Sequence, residues 1–233
     1  MSRTLPKLIH LHPTLRRRLE DAAEQYVEEN PERRLVLEYG FRTLEEQQKA
    51  YARKRTKLNG RTRFSRHNYG SENTSCALAA DVHIHRVDTI FTWLPLYEDN
   101  LPDVGIHKLI LIPQGGTQKE RKKHSRQIHE EYRVWGRIAE KHDLFSGIMN
   151  WGWDGPHVEL GKKDRVIALQ EALVAADYPG MHPGPVDGIM GKKTLRAVNV
   201  AALEAKTPTS KKLSWAQRRS FPVHPDTWTW LHR

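Results

Sequence analysis

Apolar positions recur along this chain at two spacings, and the change from one to the other marks out the elements. Leu15, Leu19, Ala22, Ala23 and Val27 stand at helical steps with charges between them, which predicts an amphipathic helix. Leu35-Val36-Leu37-Glu38-Tyr39 is a short apolar run that reads as a buried strand ending at Gly40. Thr43 followed by Glu46 is a capping-box pattern, in which hydroxyl and carboxylate each satisfy the other's backbone N–H, and it opens a helix to about Arg55. Residues 79 to 85 and 106 to 112 predict two further strands, the second broken by Pro113-Gln114-Gly115-Gly116. Ile128, Tyr132, Trp135 and Ile138 form the apolar stripe of a long helix from about Ser125 to Lys141, suited to packing on a small antiparallel sheet. A turn from Gly152 to Pro156 then delivers a last strand at His157. The rest of residues 86 to 124 carries no readable pattern.

Past Gly161 the character changes. Val166-Ile167-Ala168-Leu169-Gln170-Glu171-Ala172-Leu173, then Pro185-Val186-Asp187-Gly188-Ile189-Met190-Gly191, then Thr194-Leu195-Arg196-Ala197-Val198 predict helix, tight loop, helix. Asp187-Gly188 asks for a turn with positive φ, and Thr194 stands near the next helix start. The expected organisation is an α+β domain over residues 1–161, a small antiparallel sheet with packed helices, followed by a small all-helical module with a C-terminal tail over 162–233. Lys206 to Lys212 is polar enough for a linker. Trp215, Trp228 and Trp230 give the tail apolar surface with which to dock.

Composition narrows the class. A chain of 233 residues supports one good core or two small domains. No apolar run is long enough to span a bilayer, so a soluble globular protein without a membrane span is expected. Met1 to His12 lacks the apolar core of a secretory signal, and the single cysteine, Cys76, excludes an intramolecular disulfide and suits a reducing cytoplasm. The net charge of +10 implies an anionic partner: nucleic acid, an anionic lipid surface or a cell-wall polymer. Arg16-Arg17-Arg18, Lys119 to Lys123 and Lys211-Lys212 are scattered and read as solvated faces. No DNA-reading motif is present, which leaves a basic nucleic-acid-binding protein as the remote alternative.

The candidate chemistry lies in three separated blocks. Ser65-Arg66-His67-Asn68-Tyr69-Gly70, Ala79-Ala80-Asp81-Val82 and Trp153-Asp154-Gly155-Pro156-His157-Val158-Glu159 read as a split metal site. His67, Asp81 and His157 offer two imidazoles and a carboxylate, a donor set that holds zinc tetrahedrally with one position open. Asp154, three residues before His157, is placed to act as base.

These residues carry a resemblance. Ser-x-His-x-x-Gly, Ala-x-Asp-Val and Trp-Asp-x-Pro-His, in that order, resemble the zinc peptidases that cut peptidoglycan stem peptides, namely the D-alanyl-D-alanine carboxypeptidases and the phage L-alanyl-D-glutamate endopeptidases. Tyr39-Gly40-Phe41-Arg42-Thr43-Leu44-Glu45-Glu46-Gln47 is similar to a further block of that family. The family's first His and Asp stand closer together, so residues around Ser71 to Cys76 look like an insertion, which a loop absorbs at small entropic cost. The resemblance implies one catalytic Zn2+ on His67, Asp81 and His157, Asp154 as general base and Arg42 at the oxyanion or a substrate carboxylate. It also places Ser65, Gln47 and Trp153 near the substrate. The helical region resembles the peptidoglycan-binding module of wall hydrolases, through Leu169-Gln170-x-x-Leu173 and Val186-Asp187-Gly188-x-x-Gly191-x-x-Thr194; a helical cap on the catalytic domain is the plainer reading.

Alternatives stand beside several residues. Asp81, His83 and His85 alternate along one strand face and form a rival cluster. Glu159, two beyond His157, is either a partner that orients a ligand imidazole or an outward strand residue. Trp151 and Trp153 wall a substrate groove or belong to the core. Cys76 reads as an inert thiol, and Ser71, Glu72, Asn73 and Asp81 offer too few oxygens for a calcium site. The expected protein is thus a monomeric zinc-dependent peptidoglycan peptidase of endolysin type, cutting the stem peptide at L-alanyl-D-glutamate, with D-alanyl-D-alanine trimming as the alternative. Made in a host cytoplasm without a signal peptide, such a protein needs a holin to reach the wall.

Overall fold

Helix α1 (Pro13–Glu29) opens with the His12 ring accepting the N–H of Thr14 and with Pro13 in the first turn, where a missing N–H costs nothing. It buries Leu15, Leu19, Ala22, Ala23 and Tyr26, while Val27 is half-buried. The computed structural model describes residues 8–54, 56–71, 73–87, 96–98, 106–109, 118–214 and 221–233. They fall into two compact units, Met1–Gly40 with Ala79–Glu159 and Phe41–Leu78 with Leu160–Arg233.

The first unit is built on a largely antiparallel sheet. Strand β1 (Arg33–Tyr39) pairs with β2 (Ala79–Val87), setting Leu35 opposite Ile84 and Leu37 opposite Val82. The far edge of β2 is shared: β6 (His157–Leu160) takes Ala79 to Asp81, and β4 (Ile106–Leu109) pairs at His85 and Val87. With β3 (Leu96–Glu98) parallel to β1 and β5 (Leu144–Ser146) beyond β6, the order is β3-β1-β2-β6-β5. The fold is mixed α+β, as the two periodicities predict. Of the strand expected over 106–112, residues 110–112 lie outside the described residues.

Helix α3 (Gln118–Lys141) begins seven residues before the expected Ser125. Its first turns are rich in Lys, Glu, Arg and Gln, good helix formers without an apolar stripe, so periodicity alone misses them. Further on it buries Trp135, Ile138 and Ala139, and Trp135 meets Tyr26 edge to face at 5.8 Å. Arg33 reaches Glu131 of the same helix at 2.9 Å, so its buried guanidinium is paired.

In the second unit, α2 (Leu44–Ala52) starts with the expected capping box. Thr43 Oγ1 accepts the Glu46 N–H at 3.1 Å, and Glu46 Oε2 accepts the Thr43 N–H at 2.9 Å. The helix stops before the predicted Arg55, because Lys54 turns to φ 57°. Helices α5 (Lys162–Ala175) and α6 (Lys192–Glu204) are joined by a loop organised around buried Gln170. Its Oε1 accepts the N–H groups of Asp187 and Gly188 at 3.1 and 2.9 Å, and its Nε2 donates to Asp187 Oδ1, Ile189 O and Thr194 Oγ1 at 3.0, 3.1 and 3.2 Å. Gly188 adopts φ 75°, the left-handed turn expected there, a conformation open to glycine at no steric cost.

The polar stretch Lys206 to Lys212 is tied down, since buried Ser210 bonds to Asn199 Oδ1 through both its N–H and its hydroxyl. Helix α7 (Pro225–Leu231) carries Trp228 into a buried cluster with Tyr69 and Phe221. There the Trp228 indole N–H donates to Cys76 O at 2.9 Å, and the Tyr69 hydroxyl donates to Val223 O at 3.0 Å. Trp228 therefore docks as the tail's apolar surface suggested, Trp230 is half-buried, and Trp215 lies outside the described residues. Cys76 is fully buried, and burial pushes its thiol pKa up, which keeps it unreactive.

Candidate metal centre

The register of β2 against β6 places Asp81 directly opposite His157, and side chains of facing residues in an antiparallel pair share one side of the sheet. Asp81 Oδ1 stands 3.2 Å from His157 Nδ1. Glu159, one strand period on and therefore on the same face, brings Oε2 to 3.2 Å from His157 Nε2. Both His157 and Glu159 are only 6% exposed. Burial by itself lowers the pKa of His157, but the two carboxylates outweigh it and push the imidazole up to about 10. The two carboxylates thus favour the protonated ring when no metal is bound.

The turn before β6 is anchored from behind. Helix α4 (Gly147–Trp151) begins at a glycine where a Cβ would lie 2.6 Å from the Asp154 carbonyl oxygen and 3.2 Å from His157 Cβ, so only a bare backbone lets the turn approach. Asp154 is half-buried in that turn. Trp151 stacks on His157 with ring centroids 5.1 Å apart, and Trp153 stacks on Trp151 at 5.9 Å. Trp151 is 44% exposed and Trp153 69%, so neither belongs to the core.

His83 has other partners. Its Nε2 pairs with Glu38, and its Nδ1 lies 3.3 Å from the Tyr132 hydroxyl. Among the described residues, the group placed to hold a metal does not include His83, and the side chain of His85 lies outside the described residues.

In the second unit the Ser65 block forms a 3-10 turn, Arg66–Asn68, closed by reciprocal capping. Ser65 Oγ accepts the His67 N–H at 3.4 Å, and Asn68 Oδ1 accepts the Ser65 N–H at 2.8 Å. The turn is sewn to the Arg42 block: Arg42 N–H donates to His67 O at 2.7 Å, and Asn68 Nδ2 donates to Arg42 O at 2.9 Å. Arg42 Nη1 donates to Gln47 Oε1 at 3.1 Å, while Gln47 Nε2 donates to Leu58 O at 2.8 Å. Gln47 is 0% exposed, so in this geometry it orients Arg42 and the 56–58 loop. Ser65 is likewise buried, and His67 is 3% exposed. The segment expected to be an insertion closes on itself through a Ser71 to Thr74 bridge, with Thr74 Oγ1 accepting the Ser71 N–H at 2.9 Å.

His67, Asp81 and His157 each offer one ligand atom, and those atoms all lie within 4.8 Å of one another, a buried to half-buried group that could hold a metal ion. Compared with known protein families and with curated proteins, the chain matches no family model and no curated sequence.

Three features of the site escaped the sequence reading. Asn68 ties the Ser65 turn to Arg42, and the Ser65-x-x-Asn68 spacing, a capping-box variant, was the signal for it. The Glu38–His83–Tyr132 chain could have been sought from the shared strand face of Asp81 and His83. The stacking of Trp151 on His157 has no local signature, because a turn and a register bring them together.

Proposed function

We propose that this protein is a zinc-dependent peptidase acting on the stem peptide of bacterial peptidoglycan, with L-alanyl-D-glutamate as the bond cut. The observation that carries the reading is the grouping of His67, Asp81 and His157 within ligand distance of one another. The donor set fits zinc: His157 Nδ1 and Asp81 Oδ1 are 3.2 Å apart, close to the edge of about 3.3 Å between two ligands in a zinc tetrahedron. His157 would bind through Nδ1, and Nε2–H would donate to Glu159, the carboxylate–histidine support that fixes a ligand ring and raises its basicity. A metal held there would supply Lewis acidity toward a carbonyl and would lower the pKa of a water toward neutral.

The chain's own groups supply the rest. Asp154, half-buried on the turn leading to His157, takes the proton from the attacking water and returns it to the leaving amine. Arg42, held through Gln47 and through the backbone of His67, offers a fork of N–H donors to a carboxylate or developing oxyanion. The +10 charge favours approach to an anionic wall polymer. Helices α5 and α6 with the Gln170-centred loop serve as the wall-binding part, and no helix among the described residues is long and apolar enough to cross a membrane.

The test is clearing of purified sacculi by the protein as isolated, after chelation and after zinc is restored, with product masses from the digest. Zinc-dependent clearing with fragments cut after L-alanine supports the proposal. Release of free D-alanine without clearing favours the carboxypeptidase alternative, and absence of both refutes the peptidase reading.

A further inference from the structure

The stack of His157, Trp151 and Trp153 leads from the metal centre to solvent, and the hydrolysis proposed above gives a step to its inner member while leaving open what Trp153, expected near the substrate, would hold. The two indoles lie 23° from parallel with one stacked on the other, so the outer face of Trp153 is the one turned away from the stack, and Phe145 stands 5.3 Å from Trp151 behind it. The left-handed Gly152, φ 78°, turns the chain between them so that both rings stand out from the end of α4. Trp153 is 69% exposed although its ring stacks on Trp151, itself 44% exposed. Asn150, exposed on the same helix end, has its amide N–H groups held by Glu140 Oε1 and Ser146 O at 2.8 and 2.9 Å, and offers Oδ1 to a hydroxyl or amide N–H.

We propose that the outer face of Trp153, with Trp151 stacked behind it, forms a saccharide platform that takes a β-linked N-acetylhexosamine unit of the glycan to which the stem peptide is attached. The axial C–H groups of such a pyranose form one apolar face with slight positive charge, and the indole face is its electrostatic complement. The choice of occupant rests on the peptidase reading. In a wall polymer the L-alanyl-D-glutamate bond lies one residue from the sugar, whereas the D-alanyl-D-alanine bond lies at the far end of the stem. The platform starts on the ligand ring itself, 5.1 Å from His157 to Trp151 and 5.9 Å onward to Trp153. A sugar seated there brings the sugar-proximal amide nearest the metal centre, so the platform would favour that bond.

The experiment titrates the N-acetylglucosamine tetramer, which carries no peptide, into the protein and follows the indole N–H resonances. A saturable shift of the Trp153 resonance is expected, with Trp153→Ala weakening binding about tenfold or more, as for an aromatic anchor. Trp153→Phe should recover part of the loss, and circular dichroism should show both variants folded, the ring being mostly in solvent. No shift at the limit of sugar solubility, or binding unchanged by Trp153→Ala, overturns the platform. Binding of anilinonaphthalene sulfonate at these rings without binding of the sugar also overturns it, as a plain apolar patch. Because the titration needs neither metal nor turnover, the two readings fail separately. Sugar binding without hydrolysis refutes the peptidase; hydrolysis of glycan-linked and free stem peptide with equal KM, without sugar binding, refutes the platform.

Discussion

Replacing Gln170 by Leu removes the centre of the loop between α5 and α6 while keeping the side-chain volume, so no cavity contributes. Five hydrogen bonds disappear. The backbone N–H groups of Asp187 and Gly188 lose their acceptor, at about 1 kcal/mol each once partial access of water is allowed for. Ile189 O and Thr194 Oγ1 lose a donor but keep other partners, since Ile189 O also accepts from Thr194 Oγ1 and that hydroxyl also reaches Pro183 O; about 0.5 kcal/mol each is appropriate. The exposed Asp187 carboxylate is left out of the count. The sum is about 3 kcal/mol, which at a urea m-value of about 3 kcal/mol/M moves the unfolding midpoint down by about 1 M. Hydrogen exchange gives the local readout, because the amides of Asp187 and Gly188 should lose protection by about a hundredfold, beyond any global effect. Gln170→Glu is the companion variant: it keeps the two accepted bonds but sets a carboxylate against Asp187 Oδ1, whose pKa is held low chiefly by the Gln170 amide and next by the Ile189 N–H. A midpoint shift below about 0.3 M together with unchanged protection of these amides would refute the assignment of Gln170 as the organiser.

Zinc added to the metal-free protein at pH 7 should release about one proton from His157, read as the dependence of calorimetric heat on buffer ionisation enthalpy, with apparent affinity rising about tenfold per pH unit up to about 10; no release would refute the clamped imidazolium. The same raised pKa means that His157's contribution to metal-free stability is fully present below about 6.5 and is lost as pH rises through about 10, which urea midpoints across that range check. Asp154→Asn should retain zinc by elemental analysis while wall clearing is abolished, and clearing in that variant removes Asp154 from its role. Gly147→Ala should cost about 1–3 kcal/mol in thermal unfolding and weaken zinc binding, because the new Cβ meets the Asp154 carbonyl oxygen at 2.6 Å; wild-type melting and affinity would show that the turn is not held there.

Much of the fold was legible because it is locally encoded. The Thr43–Glu46 box, the stripe on α1 and the Asp187-Gly188 turn depend on residues within a few positions of one another. The start of α3 was not legible, since a charged first half carries helix propensity but no period. Nor are the compact units legible, since each is made of two stretches far apart in sequence.

For the candidate site, the sequence by itself determined the donor types, their order and the turns that carry them. The Ser65-x-x-Asn68 spacing supplies both halves of a reciprocal cap, and Asp154 stands three residues before His157 in any fold. The tertiary structure alone decided that Asp81 faces His157, that both nitrogens of His157 meet carboxylates and that Trp151 lies on that ring. The physical reason is strand register: shifting β2 against β6 by one residue would turn Asp81 away from His157, and register is set by the burial of Ala80, Val82 and Val158 on the sheet's other face, which no local pattern specifies.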